Sequence, residues 1–111
     1  MIEKLIERGL KTRDDAHKAH WSTDSYSEHV VLGAFYEDLI NQLDKYVEAH
    51  QGAFGRVGKP SKDIKTKLQE DVVWLTENRD KLANNIKPLE NMLDEMVSGY
   101  LSTLYKLENL R

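Results

Sequence analysis

Apolar residues recur along the chain with the three-to-four-residue spacing of amphipathic helices, and no segment shows the alternation of a β-strand. Four segments carry this spacing, and polar or glycine-rich stretches separate them. They are predicted as helices at about residues 2–21, 26–51, 62–83 and 88–110. Because 111 residues suffice for one domain, the pattern predicts an all-α protein that forms a single four-helix bundle.

The boundaries between these segments carry residues that begin and end helices. Ser25 and Glu28 form a capping box at the start of the second helix, and Gly52 is placed to end it. Ser61 is the predicted N-cap of the third helix, and Pro88 suits the first turn of the fourth.

Composition and charge argue against several classes of function. The chain has no cysteine, which excludes disulfides, thiol catalysis and cysteine-based zinc sites. Its formal net charge of −3 argues against a broad nucleic-acid-binding face, which needs clustered lysine and arginine. No apolar run approaches the roughly 20 residues of a membrane span, and no signal peptide is visible. We therefore expect a cytoplasmic protein that binds neither membrane nor DNA.

All four histidines of the chain fall between positions 17 and 50, on the first two predicted helices. His29 lies in the middle of the apolar stripe of the second helix, where an imidazole needs a polar partner because burying it alone is costly. His20 ends the stripe of the first helix. Because a short turn joins these helices, we expect antiparallel neighbours whose two imidazoles can converge. The alternative is a pair of hydrogen-bonded histidines that bind no metal.

Two carboxylates on the second helix, Asp44 and Glu48, are one turn apart and can face one ligand. Asp44 lies about 22 Å from His29 along the helix axis, so one chain cannot bring both to the same metal ion. A two-fold dimer with antiparallel second helices, crossing near Glu37, would place His29 of one chain opposite Asp44 and Glu48 of the other. Without such a dimer, the two carboxylates are a solvated flank of the helix.

Two histidines and two carboxylates form a mixed nitrogen and oxygen ligand set that suits iron, manganese or zinc. Its anionic oxygens stabilise ferric iron, so the set also suits the oxygen-dependent oxidation of Fe(II). His17, three residues before His20, is a further candidate for metal binding and otherwise faces solvent. Glu37 is another candidate, although near a two-fold axis it would meet its own copy. No catalytic residues separate from this metal site are predicted.

These residues resemble those of the Dps proteins, the starvation-induced branch of the ferritin-like superfamily that oxidises and stores iron. In that family a His-Trp pair ends the first helix, and a histidine on the second helix is followed by two acids. The positions of His20-Trp21, His29, Asp44 and Glu48 match this spacing. The resemblance implies a ferritin-like four-helix bundle with ferroxidase activity, in which His20 and His29 of one subunit bind iron with Asp44 and Glu48 of a two-fold partner. It therefore also implies a homodimer or a larger homo-oligomer.

The chain is also similar to short Dps-like proteins of tailed bacteriophages, and it departs from the Dps pattern in three ways. Gly33 stands where the family usually has an acid, which would weaken the metal site. The loop between His20 and His29 is shorter, and the second link lacks the family's additional helix. That link of about ten residues reaches at most about 33–36 Å, which allows a ferritin-like crossover and leaves an up-down-up-down order open. The alternative function is a non-catalytic structural or interaction module that retains the fold.

Overall fold

The computed structural model describes residues 1–58 and 63–110, which contain four α-helices and no β-strand. In chain order the helices are α1 (Ile2–Ser22), α2 (Tyr26–Phe54), α3 (Ile64–Ala83) and α4 (Lys87–Asn109). The all-α prediction is confirmed. The chain divides into two compact units, Met1–Lys59 and Pro60–Arg111, and each is a helical hairpin that we describe by itself. The single four-helix bundle stays a prediction.

The first hairpin packs α1 against α2 in antiparallel orientation along a narrow apolar seam. Gly9, Ala16 and Leu43 are buried in it. A Cβ added to Gly9 would lie 3.0 Å from Cδ2 of Leu43, so the glycine lets the two helices approach closely. The seam is thin, because no large side chain of the described residues is fully buried.

The turn between α1 and α2 is held by side chains that cap the second helix. Ser25 is the N-cap of α2, and its hydroxyl accepts a hydrogen bond from the backbone N–H of Glu28 at 3.2 Å. Glu28 accepts a bond of 2.6 Å from the hydroxyl of Thr23, and that same hydroxyl accepts the backbone N–H of Ser25 at 3.1 Å. Ser25 therefore caps α2 as predicted. The second bond of the predicted capping box, from the backbone N–H of Ser25 to Glu28, is relayed through the hydroxyl of Thr23.

The end of α2 corrects one prediction and leaves another outside the described residues. Gly52 does not end α2, which continues to Phe54 and is capped by Gly55 at a φ of 92°. This left-handed backbone favours glycine, so Gly55 is the better terminator. Ser61, the predicted N-cap of α3, lies outside the described residues. In the structure α3 begins at Ile64, and Asp63 is in the N-cap position. Among the described residues, no helix is both long and apolar enough to span a membrane.

The second hairpin joins α3 and α4 through a left-handed turn. Asn84 and Asn85 have φ angles of 48° and 65°, which asparagine tolerates better than most residues. Pro88 lies in the first turn of α4, where its missing N–H costs nothing. Leu75 and Ala83 are the buried apolar residues of α3.

A buried carboxylate marks the start of α4. Glu90 is only 8% exposed, and it lies 3.5 Å from a terminal nitrogen of Arg79 and 3.1 Å from Nζ of Lys87. Arg79 also donates to both carboxylate oxygens of Asp94, at 2.7 Å and 3.0 Å. The guanidinium of Arg79 therefore connects two turns of α4 to α3, and its hydrogen bonds hold the pKa of Asp94 below the ordinary value.

A second polar contact crosses the same hairpin. The hydroxyl of Tyr100 donates to Asp71 at 3.0 Å, and Lys67 donates to the other oxygen of that carboxylate at 2.7 Å. These bonds lower the pKa of Asp71, while the bond to the carboxylate raises the pKa of the Tyr100 phenol. The neutral phenol and the ionised carboxylate are thus the forms that the fold prefers.

Replacing Asp94 by Asn should lower the thermal unfolding midpoint of the chain by a few degrees at pH 7. A carboxylate whose folded pKa is depressed stabilises the fold above its unfolded pKa of about 3.9, and this contribution is lost as the pH falls through the folded value. The difference from the wild-type chain should therefore shrink as the pH falls below that unfolded pKa. Glu95→Gln, on the same helix but without an ion pair among the described residues, is the control and should change little. Equal midpoints for Asp94→Asn and the wild type at pH 7 would contradict the assignment.

Candidate functional site

The structure brings His20 and His29 together at the closed end of the first hairpin. His20 is half-buried and His29 is exposed, so the expected burial of His29 in the apolar stripe is wrong. Their rings stack with centroids 3.7 Å apart and planes inclined by 17°. Nδ1 of His20 donates to the carbonyl oxygen of His29 at 2.6 Å, and Nδ1 of His29 donates to the carbonyl oxygen of His20 at 2.8 Å. Because a carbonyl oxygen only accepts, both Nδ1 atoms carry a proton. In the neutral form of each ring, the free lone pair is therefore on Nε2.

This reciprocal pair also completes the end of α1. The carbonyl of His20 belongs to the last turn of α1, where carbonyls have no partner within the helix. The Nδ1–H group of His29 supplies that partner from the second turn of α2. The histidines are thus positioned by the two helix ends and the three-residue turn between them.

Gly33 provides the room that the ring of His20 occupies. A Cβ at this position would lie 3.0 Å from Cε1 and 3.2 Å from Nδ1 of His20. Optimal contacts between carbon atoms are about 3.5–4.0 Å, so any side chain at residue 33 would displace the ring. The acid that the Dps pattern has here would not fit beside His20 in this position.

His17 extends the pair into an aromatic cluster. Its ring stacks on Tyr36 at a centroid distance of 4.0 Å, lies 4.1 Å from Trp21, and is 6.2 Å from His20. His17 is half-buried, so the expectation that it otherwise faces solvent is wrong. The guanidinium of Arg13 lies 5.9 Å from the centroid of the Tyr36 ring. Tyr36 lies seven residues after His29, which places both on one face of α2, and this spacing was the available signal for its role.

The predicted carboxylate ligands lie elsewhere on α2. Asp44, Glu48 and Glu37 are exposed, and none forms an ion pair within the part of the chain that is described. Asp44 is about 22 Å from His29 along the helix, so no single hairpin unites them. Within residues 1–58 and 63–110, no group of three or more His, Asp or Glu side chains is placed to hold a metal ion.

The histidine pair nevertheless has donor atoms that fit a metal. Neither Nε2 has a hydrogen-bond partner among the described residues, and each Nδ1 is held by a carbonyl, as is usual for histidines that ligate metals. A metal ion binds imidazole in the plane of the ring, and two nearly parallel planes share no such point. The pair therefore suits one ion per ring rather than one ion held by both rings.

The fourth histidine lies apart from this cluster. The ring of His50 is near those of Phe54 and Tyr46, at centroid distances of 4.9 Å and 6.2 Å. Its Nδ1 is buried and has no hydrogen-bond partner in the described part of the chain. His50 is half-buried.

Replacing Gly33 by Ala should displace the ring of His20 by a few tenths of an ångström and weaken its hydrogen bond to the carbonyl of His29. Alanine in a helix is normally more stable than glycine by about 0.5–1 kcal/mol, and Gly52→Ala, where nothing lies within 4 Å of the new Cβ, should show that gain. Gly33→Ala should show a smaller gain or a loss in denaturant unfolding. Nitrogen-15 NMR of the histidine rings should report a changed Nδ1–H signal at His20 in Gly33→Ala alone. An unchanged ring spectrum would contradict the role of Gly33.

Comparison with known proteins identifies relatives of the chain. The sequence model of a family of unknown function, DUF5856, matches residues 20–107, which include both members of the histidine pair. An uncharacterized 14.6 kDa protein from the mobD-ri intergenic region of Enterobacteria phage T4 is 25% identical over 96 residues, covering 82% of this chain and 75% of the relative. No solved structure matches the chain. The similarity to a phage protein is confirmed, and neither relationship names a ferritin-like or Dps family.

Proposed function

We propose that this chain, which belongs to the DUF5856 family, is a metal-binding protein that takes up iron at sites shared between two copies of itself. The reciprocal bonding of His20 and His29 is the observation that carries the proposal. It fixes both rings through Nδ1 and leaves both Nε2 atoms without a partner among the described residues. Histidines prepared in this way are ready to ligate a metal ion without a change of tautomer.

The oxygen ligands in this proposal come from a second copy of the chain. Asp44 and Glu48 are exposed, one turn apart and on the same helix as His29. In a homodimer or larger homo-oligomer with α2 packed antiparallel to its copy, the two acids of one chain meet the histidine pair of the other. Glu37 lies near the crossing point of such a dimer and, with His17, is a further candidate for contact with the metal.

Iron is the cargo and substrate of the proposed site, and manganese or zinc are alternative ions for the same ligand set. Bound Fe(II) supplies electrons for reduction of oxygen, which is the ferroxidase reaction. The histidines hold the incoming ion, and the carboxylates compensate the additional positive charge of the ferric product. The His20-Trp21 pair and the spacing to Asp44 and Glu48 support a place in the Dps-like branch, with a ferritin-like four-helix bundle as its fold.

A structural or interaction module is the second candidate, and the stacking itself favours it. The nearly parallel rings cannot chelate a single ion, and their Nδ1 bonds already serve the end of α1. Gly33 fits the ring of His20 in place of an acid that would help to bind metal. In this role the histidine pair stabilises the contact between α1 and α2, and copies of the chain associate through apolar contacts alone.

Anaerobic titration of the metal-free protein with Fe(II), followed by exposure to air, should show binding of about one or two ions per chain and fast formation of ferric absorbance. His29→Ala and Asp44→Ala should each lose most of this signal, because each removes a ligand. His50→Ala and Asp38→Ala are matched controls on the same helix and should retain it. If the wild-type chain binds no Fe(II), or if His29→Ala binds as much Fe(II) as the wild type, the metal-binding proposal is wrong and the structural module is favoured.

Mixing two defective chains should test whether the ligands come from different copies. His20→Ala/His29→Ala lacks the nitrogen ligands, and Asp44→Ala/Glu48→Ala lacks the oxygen ligands, so each should be inactive alone. A mixed dimer contains one complete site and one doubly defective site, and the mixture should recover part of the iron oxidation after subunit exchange. If both parents are inactive and the mixture also stays inactive although mass spectrometry detects mixed dimers, the shared site is wrong.

A further inference from the structure

A cavity of about 510 Å³ lies at the open end of the first hairpin, opposite the histidine pair. The first turns of α1 and the last third of α2 form its walls. Its lining residues are Met1, Ile2, Lys4, Leu5, Arg8, Tyr46 and His50. None of these described lining residues is acidic, so the cavity is apolar with positive charge along the α1 side.

The two cations of this cavity have no partner in the described chain. Lys4 and Arg8 are one turn apart on α1, so both side chains reach the same side of the helix. Neither forms a salt bridge with a described residue, whereas farther along the same helix Lys11 pairs with Asp15 at 2.9 Å. The cavity thus holds two positive charges that an anion can neutralise.

The apolar walls are only partly covered. Leu5 is 43% exposed and Tyr46 is 55% exposed. Covering this surface with a hydrocarbon group would be favourable, because it removes apolar area from water. The volume also falls in the range of about 300–1,000 Å³ that is usual for sites of small ligands.

We infer that this cavity binds a small amphiphilic carboxylate, with its anionic head on Lys4 and Arg8 and its hydrocarbon body against Leu5 and Tyr46. A guanidinium binds a carboxylate through two parallel hydrogen bonds, and the ammonium adds a third charge-assisted donor. A free molecule fits better than a membrane surface, because Glu3 and Glu7 lie beside these cations on α1 and prevent a continuous basic face. The inference does not depend on metal binding.

Fluorescence titration of the full, untagged chain with 11-(dansylamino)undecanoic acid tests this site, with the probe kept below its micelle concentration. Binding should saturate at one probe per chain. Lys4→Gln/Arg8→Gln should weaken binding by at least about tenfold, since two charge-assisted hydrogen-bonding groups are lost. Lys11→Gln/Lys18→Gln removes the same charge from the same helix and should bind like the wild type.

Two further measurements keep the test decisive. Leu5→Trp should fill the cavity and reduce binding while circular dichroism shows an unchanged helix content, and the alcohol analogue of the probe should bind more weakly than the acid. Equal affinity of Lys4→Gln/Arg8→Gln and the wild type would overturn the inference. It would also be overturned if no saturable binding occurred, or if the chain bound phosphatidylglycerol vesicles but not the free probe.

Discussion

The closed end of the first hairpin depends on one pair of hydrogen bonds, the reciprocal bonds between ring and carbonyl of His20 and His29. These bonds join α1 to α2 and satisfy a carbonyl at the end of α1. They also select the tautomer that leaves each Nε2 free for another partner. The arrangement needs Gly33, because a side chain there would occupy the place of the His20 ring. The structural role therefore uses Nδ1 of each ring, and the proposed metal binding would use Nε2 of the same two rings.

A second constraint is the limited burial that two helices provide. Each hairpin has one seam, and large apolar residues such as Phe35, Trp74 and Met92 keep 44%, 55% and 59% of their surface exposed. Small domains are stabilised mainly by the apolar surface they bury, so outer residues of this kind need cover from outside their own hairpin. This requirement supports both the predicted four-helix bundle and the proposed association of copies, since each would supply additional buried surface.

The sequence predicts the helices well because periodicity and caps are local properties. Ser25 illustrates this, since its hydroxyl caps α2 as its position in the capping box predicts. Gly52 shows the limit: glycine is permitted within a helix when its neighbours continue it, and Gly55 was the better candidate for the left-handed cap. The stacking of His20 on His29 was beyond prediction because it depends on side-chain rotamers and on the space beside Gly33. Asp44 and Glu48 could be proposed as ligands only through a second chain, which no property of one hairpin determines.

The two candidate functions differ in the side of α2 that would form an interface. At about 100° per residue, Asp44 and Glu48 lie about 60° and 100° from His29 in one direction, while Phe35 and Tyr46 lie about 120° and 100° in the other. A metal-sharing dimer must bury the acidic side, and burying unpaired carboxylates is unfavourable unless a cation accompanies them. Metal binding and dimerisation would then be thermodynamically linked, because each stabilises the other. A structural module would instead bury the side with the aromatic residues, whose association needs no ion. The interface and its dependence on metal therefore distinguish the two functions independently of any catalytic activity.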